Sequence, residues 1–189
     1  KRIERVNPAV NAVVAMDVER AQGAAKAAER AVMAGDALGP LHGLPLGVKD
    51  LEETEGLRTT FGSLIFKDHV PKEDERGTKV LRAAGAIVLA KTNTPEFATG
   101  GNTFNAVFGR TRNPWDLSRS AGGSTGGGAA GLATGMIALA EGTDLDLAIS
   151  GSGFFVVSPD GGTSKLYSRS GNLSLDANAN LVTDSGMQV

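Results

Sequence analysis

At 189 residues, with 41% hydrophobic and 21% charged side chains, the chain has the composition of a globular protein long enough to bury a core. A formal net charge of -2 gives no electrostatic footprint for nucleic acid or an anionic membrane, and no apolar run approaches a membrane span. Zero cysteines exclude disulfides, a thiol nucleophile and Cys-ligated zinc; with only His42 and His69, no metal site and no cofactor are expected.

Residues 18–33 are Ala-rich, carry Glu19, Arg20, Lys26, Glu29 and Arg30, and are followed by Gly35, which predicts a helix with a glycine stop. Gly43-Leu44-Pro45-Leu46-Gly47-Val48-Lys49-Asp50 reads as an apolar, glycine-punctuated strand ending on a lysine. A short helix is predicted over 78–84, closed by Gly85. The run 86–90 is apolar at every position, as a strand covered on both faces must be. Helix, glycine, buried strand is the rhythm of an α/β sheet. The glycine-rich stretch 122–128 then leads into a predicted helix over 129–140, closed by Glu141-Gly142-Thr143-Asp144.

Composition changes near residue 145. Residues 1–144 hold 23 Ala and four Ser (Ser63, Ser118, Ser120, Ser124), whereas 145–189 hold three Ala, eight Ser and no Glu. Glu and Ala favour helices while Ser, Gly and Asn favour turns, so the shift in usage is a shift in architecture. A period-two stretch at 145–149, then short strands at 154–157, 166–169, 173–175 and 180–183 with turn signals at 158–162, 170–172 and 176–178, predict a β-meander of about four strands. The expected fold is therefore α/β, a mixed sheet with helices, for 1–144, and all-β for 145–189, with poor packing between them. The chain starts without Met and stops in strand-like sequence, and it reads as a fragment at both ends.

Three features of the first part stand out for chemistry: the lysine at 49, the glycine-rich loop at 122–128, and Glu141-Gly142-Thr143-Asp144 before the junction. A lysine at the end of a buried strand loses hydration, which lowers its pKa and lets it accept a proton near neutral pH. A lone lysine in that position more often keeps its ammonium in water. The loop Ser120-Ala121-Gly122-Gly123-Ser124-Thr125-Gly126-Gly127-Gly128 lets backbone amides converge at a helix start, where negative charge is favoured. It satisfies neither phosphate-loop pattern and holds no lysine, so a nucleotide or small-anion site is the weakest reading.

In order along the chain, Gly47-Val48-Lys49-Asp50, Thr59-Thr60-Phe61-Gly62-Ser63, Ala90-Lys91-Thr92-Asn93-Thr94-Pro95-Glu96-Phe97, Asn113-Pro114-Trp115-Asp116, Ala121-Gly122-Gly123-Ser124-Thr125-Gly126-Gly127 and Gly142-Thr143-Asp144 resemble the amidase signature family of amide hydrolases. The resemblance covers essentially all of 1–144. It implies a Ser–Ser–Lys triad acting on a small-molecule amide, with Lys49 as base and Ser124 as a bridging serine on a cis peptide. Such a bridge relays a proton from the nucleophilic serine to the lysine, so no histidine is required. His42 and His69 are then surface or packing residues.

In the family, Gly-Thr-Asp is followed by one variable residue and Gly-Gly-Ser, whose serine attacks the amide. Here Leu145 is the variable residue, and Asp146, Leu147 and Ala148 occupy the Gly-Gly-Ser positions. Alanine carries no nucleophile, and side chains at the two glycine positions disturb the backbone approach an oxyanion hole needs. Ser150 lies two residues too far along, and misplacement by 1 Å already matters. The chain is expected to be catalytically dead.

Leu145-Asp146-Leu147-Ala148-Ile149-Ser150-Gly151-Ser152-Gly153-Phe154-Phe155, with Tyr167-Ser168-Arg169-Ser170-Gly171-Asn172-Leu173-Ser174-Leu175-Asp176 and Asn180-Leu181-Val182-Thr183-Asp184-Ser185-Gly186, is similar to flagellar hook and basal-body rod proteins. That resemblance implies assembly rather than catalysis. The expected organisation is a chimera: 1–144 from an amidase, 145–189 from a hook or rod protein. The amidase part implies a cytoplasmic location, and the second part an extracellular, flagellar one with flagellar subunits as partners. The alternative function is thus a structural hook or rod segment with an unrelated leader.

Overall fold

The computed structural model describes residues 1–142, 147–149, 155–160, 162–168, 173–176, 180–183 and 187–189. The chain opens with helix α1 (Arg2–Val10), which ends where Asn11 takes a left-handed conformation, followed by strand β1 (Val13–Met16). Helix α2 (Val18–Ala34) is bounded as its sequence dictates. The Asp17 side chain accepts from the Arg20 N–H at its start, and Gly35 adopts φ 75° at its end. Strand β2 (Pro45–Lys49), helix α3 (Arg76–Ala83) and strand β3 (Ile87–Thr92) come next. Two small hairpins, β4 (Phe104–Asn105) with β5 (Gly109–Arg110) and β6 (Arg112–Asn113) with β7 (Asp116–Ser120), precede helix α4 (Gly126–Ala133) and strand β8 (Leu139–Glu141).

The helix expected over 129–140 is corrected at both ends. It starts inside the glycine-rich stretch and stops at Ala133, because Gly135 turns the chain with φ 65°, and residues 139–141 become a strand. Glu141 therefore closes β8 rather than a helix. The apolar run Met136-Ile137-Ala138-Leu139-Ala140 suits a buried strand as well as a helix, and tertiary pairing with β2 decides between them.

Beyond it lie β9 (Leu147–Ile149), β10 (Phe155–Val157), β11 (Leu166–Ser168), β12 (Leu173–Leu175) and β13 (Leu181–Thr183). The main sheet has the order β1-β3-β2-β8-β9, with β3, β2 and β8 parallel and the two edge strands antiparallel. Among the described residues the second part is not one meander. β9 joins the main sheet, while β10–β11 and β12–β13 form separate two-stranded pairs, bridged through Gln188 to Ser158 and Val182. The turns expected at 170–172 and around 177–178 lie outside the described residues.

Alternation along β2 places the site. Leu46 and Val48 are buried in the main core with Leu41, Leu57, Leu81, Val88 and Leu139. Gly47 and Lys49 lie on the opposite face by the two-residue period. A Cβ at Gly47 would stand 2.7 Å from Ile137 Cδ1 and 2.8 Å from Thr92 Cγ2, so only glycine lets the segment after α4 close against the sheet. The expected poor packing between the two parts is also corrected. Phe155, Val157 and Leu181 are buried in the same cluster as Leu41 and Val88, with Met187 and Val189 against it.

Candidate active site

The strand end carries Lys49 into the protein rather than out of it: its exposure is 0%. Its Nζ donates to Ser124 Oγ at 2.8 Å and to Thr125 Oγ1 at 3.1 Å, across 75 residues of sequence. Sequestration of this kind needs hydrogen-bond partners, and two hydroxyls from the loop before α4 supply them. The Gly123–Ser124 peptide bond is cis, as the resemblance implies.

The loop holding Ser124 is fixed from several sides. Gly123 N–H donates to Gly101 O at 2.9 Å, Gly126 N–H to Thr103 Oγ1 at 3.1 Å and Gly127 N–H to Asn93 O at 3.1 Å. Thr103 Oγ1 in turn donates to Gly122 O at 2.8 Å, and Thr94 Oγ1 to Ser124 O at 3.2 Å. Behind it, Asn105 Nδ2 donates to Asn93 Oδ1 and to Thr94 O, each at 2.7 Å, in a fully paired buried network. A Cβ at Gly127 would meet Asn93 N at 2.2 Å. These glycines serve close packing of backbone on backbone, which weighs against a phosphate cradle in the 122–128 loop.

On the other face of the sheet, a set of ionisable groups lies buried at the same strand ends. Lys91, in register with Val48, has 0% exposure and donates to Glu52 O and, at 2.8 Å, to Thr54 Oγ1. Burial pulls its pKa down from 10.5 to about 8, against the pull of Asp50 and Glu141. Glu141, at the end of β8, accepts the Lys49 backbone N–H at 3.2 Å. Burial, then the charge of Glu52, pushes its carboxyl from 4.5 up to about 8. Glu52 is pushed to about 7 by burial and by neighbouring Glu75. Burial raises Asp50 as well, although its carboxylate accepts from both the N–H and the hydroxyl of Thr60, which ties the 59–63 turn to the end of β2.

Of the residues singled out in the sequence, Lys49 and Ser124 are brought into contact. Ala148 lies in β9, its backbone opposite Ala140, while Ala140 itself pairs with Gly47. Asp144, Asp146 and Ser150 lie outside the described residues. His42 Nε2 lies 3.0 Å from Ala28 O, and His69 stacks on Phe61 with its Nε2 3.0 Å from Glu53 Oε1. Sequence reasoning missed Thr125, Thr103, Asn105 and the roles of Glu52, Lys91 and Glu141. The available signal was weak: charged residues following apolar strand runs, where water is the ordinary destination. Among the described residues no group of three or more His, Asp or Glu side chains is placed to hold a metal ion.

The family model described as Amidase matches residues 1–152. The chain belongs to the amidase family. The chain is 48% identical over 143 residues to a subunit of the glutamyl-tRNA(Gln) amidotransferase of Acidothermus cellulolyticus, a match covering 76% of this chain and 28% of that one. It is similar to the solved structure of a bacterial aryl acylamidase of the amidase signature family (TM-score 0.69, 34% identity, 76% of this chain and 31% of the other). It also resembles a structure from a vestigial protein complex bearing on the origins of an s-triazine catabolic enzyme (TM-score 0.72, 40% identity, 76% and 32%). The chain thus spans about three tenths of the length of these relatives. A second model, the flagellar hook protein FlgE/F/G D1 domain, matches residues 148–189 and overlaps the first at 148–152.

Proposed function

We propose that residues 1–144 are the N-terminal part of an amide (C–N) hydrolase domain, with Lys49 as the base and Ser124 as the bridge of a Ser–Ser–Lys triad. The observation that carries this reading is the 2.8 Å contact between the buried Lys49 amine and Ser124 Oγ. An amine removed from water and held against a hydroxyl can take the proton that a nucleophilic serine gives up on attacking a carbonyl, with the hydroxyl as relay. The natural substrate class is a small amide.

In this chain the nucleophile is absent. Position 148 is alanine, and its backbone is committed to pairing with β8. Losing the attacking group of a triad costs several orders of magnitude in rate, so this chain is inactive as an amidase. Two assays test the reading. Residues 1–142 exchanged for the matching part of a full-length amidase relative should give a hybrid that hydrolyses an aryl amide, and Lys49→Met should abolish that activity. A folded but inert hybrid would sink the assignment. The chain itself should release no ammonia or amine above background, and steady turnover would overturn its inactivity.

A second reading is favoured by the match of 148–189 to a flagellar hook domain. On that reading 145–189 is a hook or rod segment joined to the amidase part, and the chain's role is structural. Sedimentation of the chain with hook or rod subunits would support it.

A further inference from the structure

We propose that Ser124, with Lys49 as its proton acceptor, is a nucleophile in its own right: a serine–lysine dyad that reacts with small activated acyl and sulfonyl donors without any contribution from position 148. The inference rests on Lys49 acting as a base, as above, but the assigned attacking atom is different.

Three observations converge on Ser124 Oγ. It lies 2.8 Å from a lysine amine whose residue has 0% exposure, so bulk water does not compete for the proton Lys49 receives. Ser124 itself is only half-buried, so a small electrophile reaches the hydroxyl from the solvent side. The residue also directly precedes Thr125, the cap of α4, so the positive end of the helix dipole stabilises negative charge developing on Oγ. The bonds that fix this loop to Gly101, Thr103 and Asn93 hold the dyad in place before a donor arrives, which is the geometric requirement for a positioned nucleophile.

With phenylmethanesulfonyl fluoride the step balances as follows. Ser124 Oγ attacks sulfur and forms the O–S bond, the hydroxyl proton passes to the Lys49 amine nitrogen, and the S–F bond breaks with fluoride leaving to water. The products are a sulfonate ester and a lysine ammonium ion. No oxidant, reductant or second protein is needed. The modification is stoichiometric, because the ester is not turned over.

The test is to treat the full chain with phenylmethanesulfonyl fluoride and map the adduct by peptide mass spectrometry. One adduct is expected, on the peptide holding Ser124. Lys49→Arg, which keeps a long hydrogen-bond donor at the site but stays protonated and so cannot accept a proton, should slow labelling roughly 10²-fold or more, and Ser124→Ala should remove it. No adduct, an adduct confined to other residues, or wild-type labelling of a Lys49→Arg chain with native circular dichroism would each overturn the proposal. The map is made on the unaltered chain, so a variant that fails to fold leaves the site assignment decided. An active hybrid enzyme alongside an unlabelled chain would defeat the dyad while leaving the amidase reading intact.

Discussion

Lys49 and Lys91 stand at the ends of adjacent parallel strands, on opposite faces of one sheet, and neither reaches water. Lys49 is held by hydroxyls, whereas Lys91 sits among carboxyls that are themselves driven toward their neutral form. That second group makes stability depend on pH. Glu141 titrates near 8 in the folded chain and at 4.5 when unfolded, so the folded state binds its proton more tightly. Its contribution is fully present below about pH 4.5 and is lost as pH rises through about 8. Glu52 adds a slope of the same sign between 4.5 and about 7. Lys91 runs the other way: the folded chain releases its proton near 8 and the unfolded chain at 10.5, so its penalty is relieved only across that upper window. Glu141→Gln keeps an acceptor for the Lys49 N–H and removes the charge. Urea midpoints measured from pH 5 to 8 should fall less steeply for this variant than for the parent. An unchanged slope would mean that Glu141 stays ionised in the fold.

At the level of elements, α2 shows how local signals suffice where they are complete. Asp17 caps one end, Gly35 takes the left-handed turn at the other, and the alanine run between them has high helix propensity. Asp17→Ala should therefore cost about 1 kcal/mol in chemical denaturation, and a loss near zero would mean that the Arg20 N–H finds water instead. β3 was legible for a similar reason, because an unbroken apolar run after a glycine has few alternatives. α4 and β8 were not. Their residues run together as an Ala- and Gly-rich stretch interrupted only by Thr134 and Gly135, and the decision to end a helix at Ala133 and start a strand at Leu139 is made by Gly135 and by pairing with β2. The site followed the same division. Lys49 and Ser124 could be named from ordered motifs, but Thr103, Asn105 and Asn93 hold the loop through contacts between segments far apart in the chain, which no local pattern encodes.

At the scale of the whole molecule, the abrupt change of composition near residue 145 suggests two units that melt independently, and the packing argues otherwise. Phe155 and Val157 from β10 and Leu181 from β13 are 4%, 2% and 6% exposed, and they complete the cluster built on Leu46, Val48, Val88 and Leu139. β9 also continues the main sheet beyond β8. Each of the two-stranded pairs, β10–β11 and β12–β13, is marginal alone and needs a surface to bury its apolar face. Without them that face of the sheet would lose the part of its cover that Leu41, Leu57 and Leu81 do not supply. Mutual coverage of this kind makes the parts cooperative. Phe155→Ala should destabilise by roughly 3–5 kcal/mol and should speed hydrogen exchange at Leu46 and Val48 in β2 as well as in β10. If exchange rises in β10 while β2 keeps its protection, the two parts fold as separate units and the shared cluster adds nothing to the stability of the amidase part.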